Sequence, residues 1–143
     1  MNIVVVDGQG GGMGRAIIEK LKAALPDQRI IAVGANALAT AAMLKAGADA
    51  GATGENAVRY NCRSADLILG PAGILLPNAM YGEITPAMAF AVGISPALKL
   101  LLPVEKCSLQ MVGVRPQSLD MATRELVSRV VEYQSEMRNA TCD

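Results

Sequence analysis

A chain of 143 residues is long enough to bury a core without disulfides, so a single domain over residues 1–137 with a frayed tail at 138–143 is expected. Thirteen Lys plus Arg balance thirteen Asp plus Glu, which leaves no basic excess to neutralise phosphates and argues against nucleic acid as a partner. With 52% hydrophobic residues, a mean hydropathy of +0.32, one Phe and three Tyr, the core must be built from aliphatic side chains and Met, as in helices packed on a buried sheet.

The chain opens with "NIVVVD", residues 2–7, a β-branched run of the kind that forms a strand covered on both faces. From Met13 the period changes: Ile17, Leu21 and Leu25 repeat every fourth residue and Pro26 ends the helix. "RIIAVG", 29–34, reads as a second buried strand, and Asn36 as the cap of a helix over 37–47. "ADAGA", 48–52, is a short third strand, after which Thr53 or Gly54 opens a helix through residue 65. "DLILG", 66–70, is the fourth strand. Thr85 and Pro86 start a helix that runs to about Ile94, with Pro in the first turn where its missing N–H costs nothing. Two further strands are expected near 98–104 and 109–114, joined by "EKCS", with an antiparallel orientation open to the second. A last helix from Ser118 places Leu119, Ala122, Leu126, Val130 and Tyr133 on one stripe.

Strands alternating with helices imply βαβ units and a mainly parallel sheet of five or six strands, a Rossmann-like doubly wound α/β domain with helices on both faces. No apolar run is long enough for a membrane span, and the start "MNIVVVDG" lacks the basic and apolar regions of a signal peptide, so a cytoplasmic protein without membrane association is expected. Cys62, Cys107 and Cys142 fit neither a disulfide framework nor a zinc site, and read as two core thiols and one in the tail. The chain has no histidine, the commonest neutral-pH base and metal ligand, so no metal site is expected and any catalysis falls to carboxylates, Lys, Tyr, Cys or a cofactor.

The densest signal is "DGQGGGMGR", 7–15, with five glycines between Gly8 and Gly14. Gly8, Gly10 and Gly14 give G-x-G-x-x-x-G, and Gly8, Gly12 and Gly14 give G-x-x-x-G-x-G; Met13 stands where the strict G-x-G-x-x-G would end. A first strand that turns directly into a helix leaves free N–H groups and a positive helix end for an anion, and glycines let a phosphate approach without meeting a Cβ. A small phosphate-bearing molecule is therefore the expected ligand, with NAD or NADP leading, held by Asp7, Gly8, Gln9, Gly10, Gly11, Gly12, Met13, Gly14 and Arg15. A tight turn with close helix packing is the architectural alternative, and Arg15 reads sooner as a solvated helix face than as a phosphate contact. Asp7 either orders the turn or meets a ligand hydroxyl.

An NAD domain usually carries an acid for the ribose about 20 residues onward. Here "VGANALAT" offers only Asn36 and Thr40, and Asn36 is also a helix cap. "GPAG", with Gly70, Pro71 and Gly73, follows the fourth strand, which lies beside the first across the point where strand order reverses. With "PNAMYGEIT" it forms the second wall of the cleft, carrying Asn78, Tyr81, Glu83 and Thr85. Glu83, Asp7 and Tyr81 are the well-placed titratable groups.

The turn "GQGGGMG" resembles the cofactor turns of short-chain dehydrogenases and of prephenate dehydrogenases. The short-chain enzymes' Tyr-x-x-x-Lys is absent: Ser64, Thr85 and Met137 follow Tyr60, Tyr81 and Tyr133 at that spacing. The catalytic histidine and second domain of the prephenate enzymes are absent too. "VVVDGQGGGMG", "GANALATAAMLKAGADAGATGENA", "ADLILGPAGILLPNAMYGEITPAMA" and "VGV" resemble the shared blocks of a family of short bacterial proteins of unknown function over nearly the whole chain. That resemblance implies a Rossmann-like domain and transfers no catalytic residue. The expectation is a nucleotide- or dinucleotide-binding protein, assembled as a homodimer that covers its apolar helices. A small NAD(P)-dependent reductase and a regulatory or scaffold subunit are the alternatives.

Overall fold

In the computed structural model, which describes residues 1–104 and 108–141, five parallel strands form one sheet in the order β3-β2-β1-β4-β5. The strands are β1 (Ile3–Asp7), β2 (Ile30–Gly34), β3 (Ala50–Thr53), β4 (Leu67–Pro71) and β5 (Leu98–Leu102). The helices are α1 (Gly12–Ala24), α2 (Ala37–Lys45), α3 (Glu55–Cys62), α4 (Pro86–Ile94) and α5 (Leu119–Ala140), with a short 3-10 turn over Ala72–Leu75. This is the doubly wound α/β arrangement expected from the alternation of elements.

Successive side chains of a strand point to opposite faces, and β1 shows what that demands. Ile3 and Val5 enter a core with Ile17, Ile18 and Leu21 of α1, Met43 of α2 and Leu126, Val127 and Val130 of α5. Val4 and Val6 enter a second core with Val58 and Cys62 of α3 and Met88, Ala89 and Val92 of α4. A strand buried on both faces has no polar alternation to show, which is why β1 reads as an unbroken apolar run. Cys62 is the core thiol expected of it, and burial pushes its pKa up to about 11. Cys107 and Cys142 lie outside the described residues.

Two boundaries and one element depart from expectation. β5 stops at Leu102 because Pro103 cannot continue a hydrogen-bonded ladder. The sixth strand over 109–114 does not form. Val112 is fully exposed, Gly113 takes a left-handed φ of +89°, and the Val114 N–H reaches back to the Met111 carbonyl at 3.4 Å, so the run bends into a turn. Its apolar side chains have no face of the sheet to cover them. The stripe of α5 is shifted: Leu119 is 42% exposed, while Thr123 and Val127 join Leu126 and Val130 inside. α5 extends to Ala140, into the stretch expected to fray. Among the described residues no helix is long and apolar enough to cross a membrane.

Between β1 and β4 the strand order reverses, since β1 is followed by β2 on one side and paired with β4 on the other. Helices cannot fill the gap outside the carboxyl ends of two strands whose connections leave in opposite directions. Such a crevice is where ligands of open α/β sheets lie.

Candidate functional site

β1 runs into that crevice and ends in Asp7, whose carboxylate is 4% exposed and used twice. Oδ1 accepts from the Gly8 N–H and Oδ2 from the Gly14 N–H, both at 2.7 Å, so one side chain ties the entry of the turn to the first turn of α1. Burial pushes the Asp7 pKa up, the two amides pull it back, and the charge of Glu83 pushes it up again. Asp7 is an organiser of the turn.

The five glycines divide into two sets. A Cβ on Gly14 would press on the Met43 sulfur and stand 3.0 Å from the Asp7 Cβ. One on Gly8 would come within 2.6 Å of the Met80 sulfur. Gly11, the cap of α1 at φ +72°, would drive a Cβ to 2.9 Å from the Ala39 backbone. Gly11 and Gly14 serve architecture, whereas at Gly8 only the far end of the Met80 side chain would have to shift. Gly10 and Gly12 have no such role, because a Cβ on either meets nothing within 4 Å. Among the described residues the amide N–H groups of Gly10, Gly12 and Met13 find no hydrogen-bond acceptor. For Gly12 and Met13 that is the ordinary state of a helix start, whose first donors have no partner within the helix. Two bare glycines and a row of unused donors face open space at the positive end of α1.

The second wall folds over the entry of this turn. Leu76 to Ile84 form a compact loop in which the Asn78 N–H donates to the Ile84 carbonyl at 2.7 Å and the Gly82 N–H to the Asn78 carbonyl at 3.1 Å. Asn78, Met80 and Tyr81 take left-handed φ values of 65°, 57° and 56°, followed by Gly82 at 88°. That conformation disfavours side-chain-bearing residues, and clusters of it occur where ligands are clamped. The loop sets Met80 against Gly8, leaves Tyr81 fully exposed, and points Glu83 at the turn. Glu83 accepts from the Gln9 N–H with both oxygens at 3.2 Å, and Oε1 accepts from Asn36 Nδ2 at 2.5 Å.

Asn36 serves two ends. Its Oδ1 accepts from the Ala39 N–H at 2.9 Å, capping α2, while its Nδ2 donates to the Gln9 carbonyl at 2.8 Å as well as to Glu83. Asp7 with Gly8 and Gly14, and Glu83 with Gln9 and Asn36, thus form two hydrogen-bonded groups that meet at the Gly8–Gln9 peptide. Arg15 stands apart on the exposed face of α1, bonded to Glu19 at 2.8 Å. Thr40 is 7% exposed and committed to Thr53 and to the carbonyls of Asn36 and Ala52. Thr53 accordingly does not cap α3; Gly54 takes that position. Thr85 caps α4 through the Met88 N–H and donates to Glu55 at 2.6 Å. Gly70, Pro71 and Gly73 are buried at the base of the second wall, where a Cβ on Gly70 would strike the Val6 carbonyl oxygen. That glycine lets β4 lie close to β1.

A family described as a domain of unknown function, DUF3842, matches residues 2–135. The chain belongs to this family. No curated protein and no solved structure matches it. Among the described residues no group of three or more His, Cys, Asp or Glu is placed to hold a metal ion.

Glu83 is the site residue whose partners sequence reasoning missed. It lies 74 residues from Gln9 and 47 from Asn36, and no local pattern encodes contacts at that separation. The one signal was positional, since "PNAMYGEIT" follows the strand that neighbours β1.

Proposed function

We propose that this protein is a cytoplasmic nucleotide- or dinucleotide-binding protein whose Gly8–Gly14 turn receives a phosphate. The observation that carries this reading is the pair Gly10 and Gly12. Neither is required by packing, and together with Met13 they present unused N–H donors at the positive end of a 13-residue helix. The position of the turn at the reversal of strand order supports it. NAD and NADP lead among ligands, because the turn resembles dehydrogenase cofactor turns.

The test is thermal melting of the purified protein with NAD, NADP, their reduced forms, ATP, FAD and coenzyme A, repeated with Gly12→Val. A ligand at about 100 times its dissociation constant adds roughly 2.7 kcal/mol of stability, several degrees for a domain of this size. One ligand is expected to raise the wild-type midpoint and leave the variant unmoved. If none shifts the wild type, the turn is architectural.

Homo-oligomerisation accompanies this reading. Phe90 and Ile94, one turn apart on α4, are 66% and 64% exposed, which favours a covering neighbour. Sedimentation of the wild type, with Phe90→Ser as the disrupting variant, decides the assembly state.

A further inference from the structure

We infer that Glu83 is the specificity residue of this site: its carboxylate accepts hydrogen bonds from a ribose diol next to the bound phosphate and rejects a ribose that carries a 2′-phosphate. This rests on the nucleotide-binding reading above. In dinucleotide-binding domains an acid at the end of the second strand takes the ribose hydroxyls, and an arginine there accommodates the 2′-phosphate. Here the second strand ends in Gly34, followed by Ala35 and Asn36, and offers neither. The tertiary structure brings a carboxylate to that place from the opposite wall.

Three observations fix its chemistry. Glu83 bridges the Gln9 amide of the glycine turn and the Asn36 amide that follows β2, so it spans the two ends that bracket a ribose. Its lone pairs are not exhausted: an ionised carboxylate offers about four acceptor sites, and Oε2 has only a 3.2 Å contact with a Gln9 N–H that it shares with Oε1. The side chain is also only partly buried, so that capacity is open to a donor from the crevice. Finally, its charge has no ion-pair partner among the described residues. Arg15, the nearest in sequence to the turn, is bonded to Glu19. An unpaired carboxylate repels a phosphate dianion at contact distance, whereas a hydroxyl donates to it.

The experiment measures dissociation constants of NAD and NADP for the wild type and for Glu83→Gln by titration calorimetry. The wild type is expected to bind NAD at least about tenfold tighter than NADP, and Glu83→Gln to lose about tenfold on NAD and close the gap. A variant that binds both cofactors tighter overturns the inference, because Glu83 is then an internal anion that competes with the ligand. An unchanged NAD-to-NADP ratio also overturns it. Should Glu83→Gln fail to fold, 2′-deoxy NAD is titrated into the wild type, where a loss of about tenfold upholds the diol contact and equal binding overturns it. Binding of ATP or coenzyme A without NAD sinks this inference and spares the phosphate site. No nucleotide binding at all sinks both.

Discussion

The two walls of the crevice differ in how much of their left-handed backbone falls on glycine. In the glycine turn the left-handed position at the start of α1 is held by Gly11, which pays no Cβ penalty, Gln9 is left-handed at φ 49° despite its side chain, and the turn is pinned from below by Asp7. In the facing loop Asn78, Met80 and Tyr81 are left-handed although they carry side chains, and the surrounding hydrogen bonds hold them there. The first wall carries one such side-chain-bearing residue, Gln9, among glycines that suit its shape. The other is strained because the fold imposes its shape, and strain of that kind collects at ligand clamps and moving segments.

The largest expected effect comes from removing that suitability. Gly11→Ala adds a left-handed penalty and forces a Cβ against the Ala39 backbone, at a combined cost of about 3 kcal/mol and a fall of roughly 6–12 °C in the unfolding midpoint. A midpoint within a degree of wild type would mean that the turn does not need glycine at this position.

Asp7→Asn comes next, because an amide side chain supplies one acceptor where two N–H groups need one each. The cost expected at neutral pH in a denaturant titration is about 1–3 kcal/mol. The pH dependence has a definite sign. An acid whose folded pKa is raised favours folding most below its unfolded value near 3.8, and that advantage is lost as pH rises through the folded value. Asp7→Asn removes this decline, so its stability curve is flatter than wild type above pH 4. Asp49 works in the opposite sense. Its bonds to Lys22 and the Ile30 N–H lower its pKa, so its contribution is present above 3.8 and is lost as pH falls through the folded value.

Smaller effects sharpen the contrast from the strained side. Tyr81→Gly relieves a left-handed residue that buries nothing, and a gain of up to about 1 kcal/mol is expected after the entropic cost of the new glycine. A loss would mean that the loop is held by Tyr81 itself. Gly12→Ala places a better helix former in open space and is expected to add roughly 0.5–1 kcal/mol. The same change in Gly11 is costly, so the pair separates glycines kept for shape from glycines kept for access.

Much of this molecule was legible in order along the chain. Unbroken apolar runs such as "IVVVD" announced strands covered on both faces, the four-residue spacing in α1 announced an amphipathic helix, and Asn36, Thr85 and Ser118 cap helices as their residue types predict. The run 109–114 looked equally like a strand and is not one, because pairing depends on a sheet position that local composition does not supply. Thr40, read as a possible ribose contact, is bonded within the protein, and of the two roles read for Asp7 the ordering of the turn is the one its hydrogen bonds carry.

The sequence by itself determined the alternating elements, the parallel sheet and the place of the glycine turn after the first strand, since hydrophobic period and turn chemistry act over a few residues. The tertiary structure alone decided which glycines face open space, which partners Asp7 takes, and that Glu83 meets Gln9 and Asn36 across the crevice. The Glu83 contacts join residues tens of positions apart. They exist because packing on both faces of the sheet sets β1 beside β4 and brings the two walls together at the carboxyl ends of their strands.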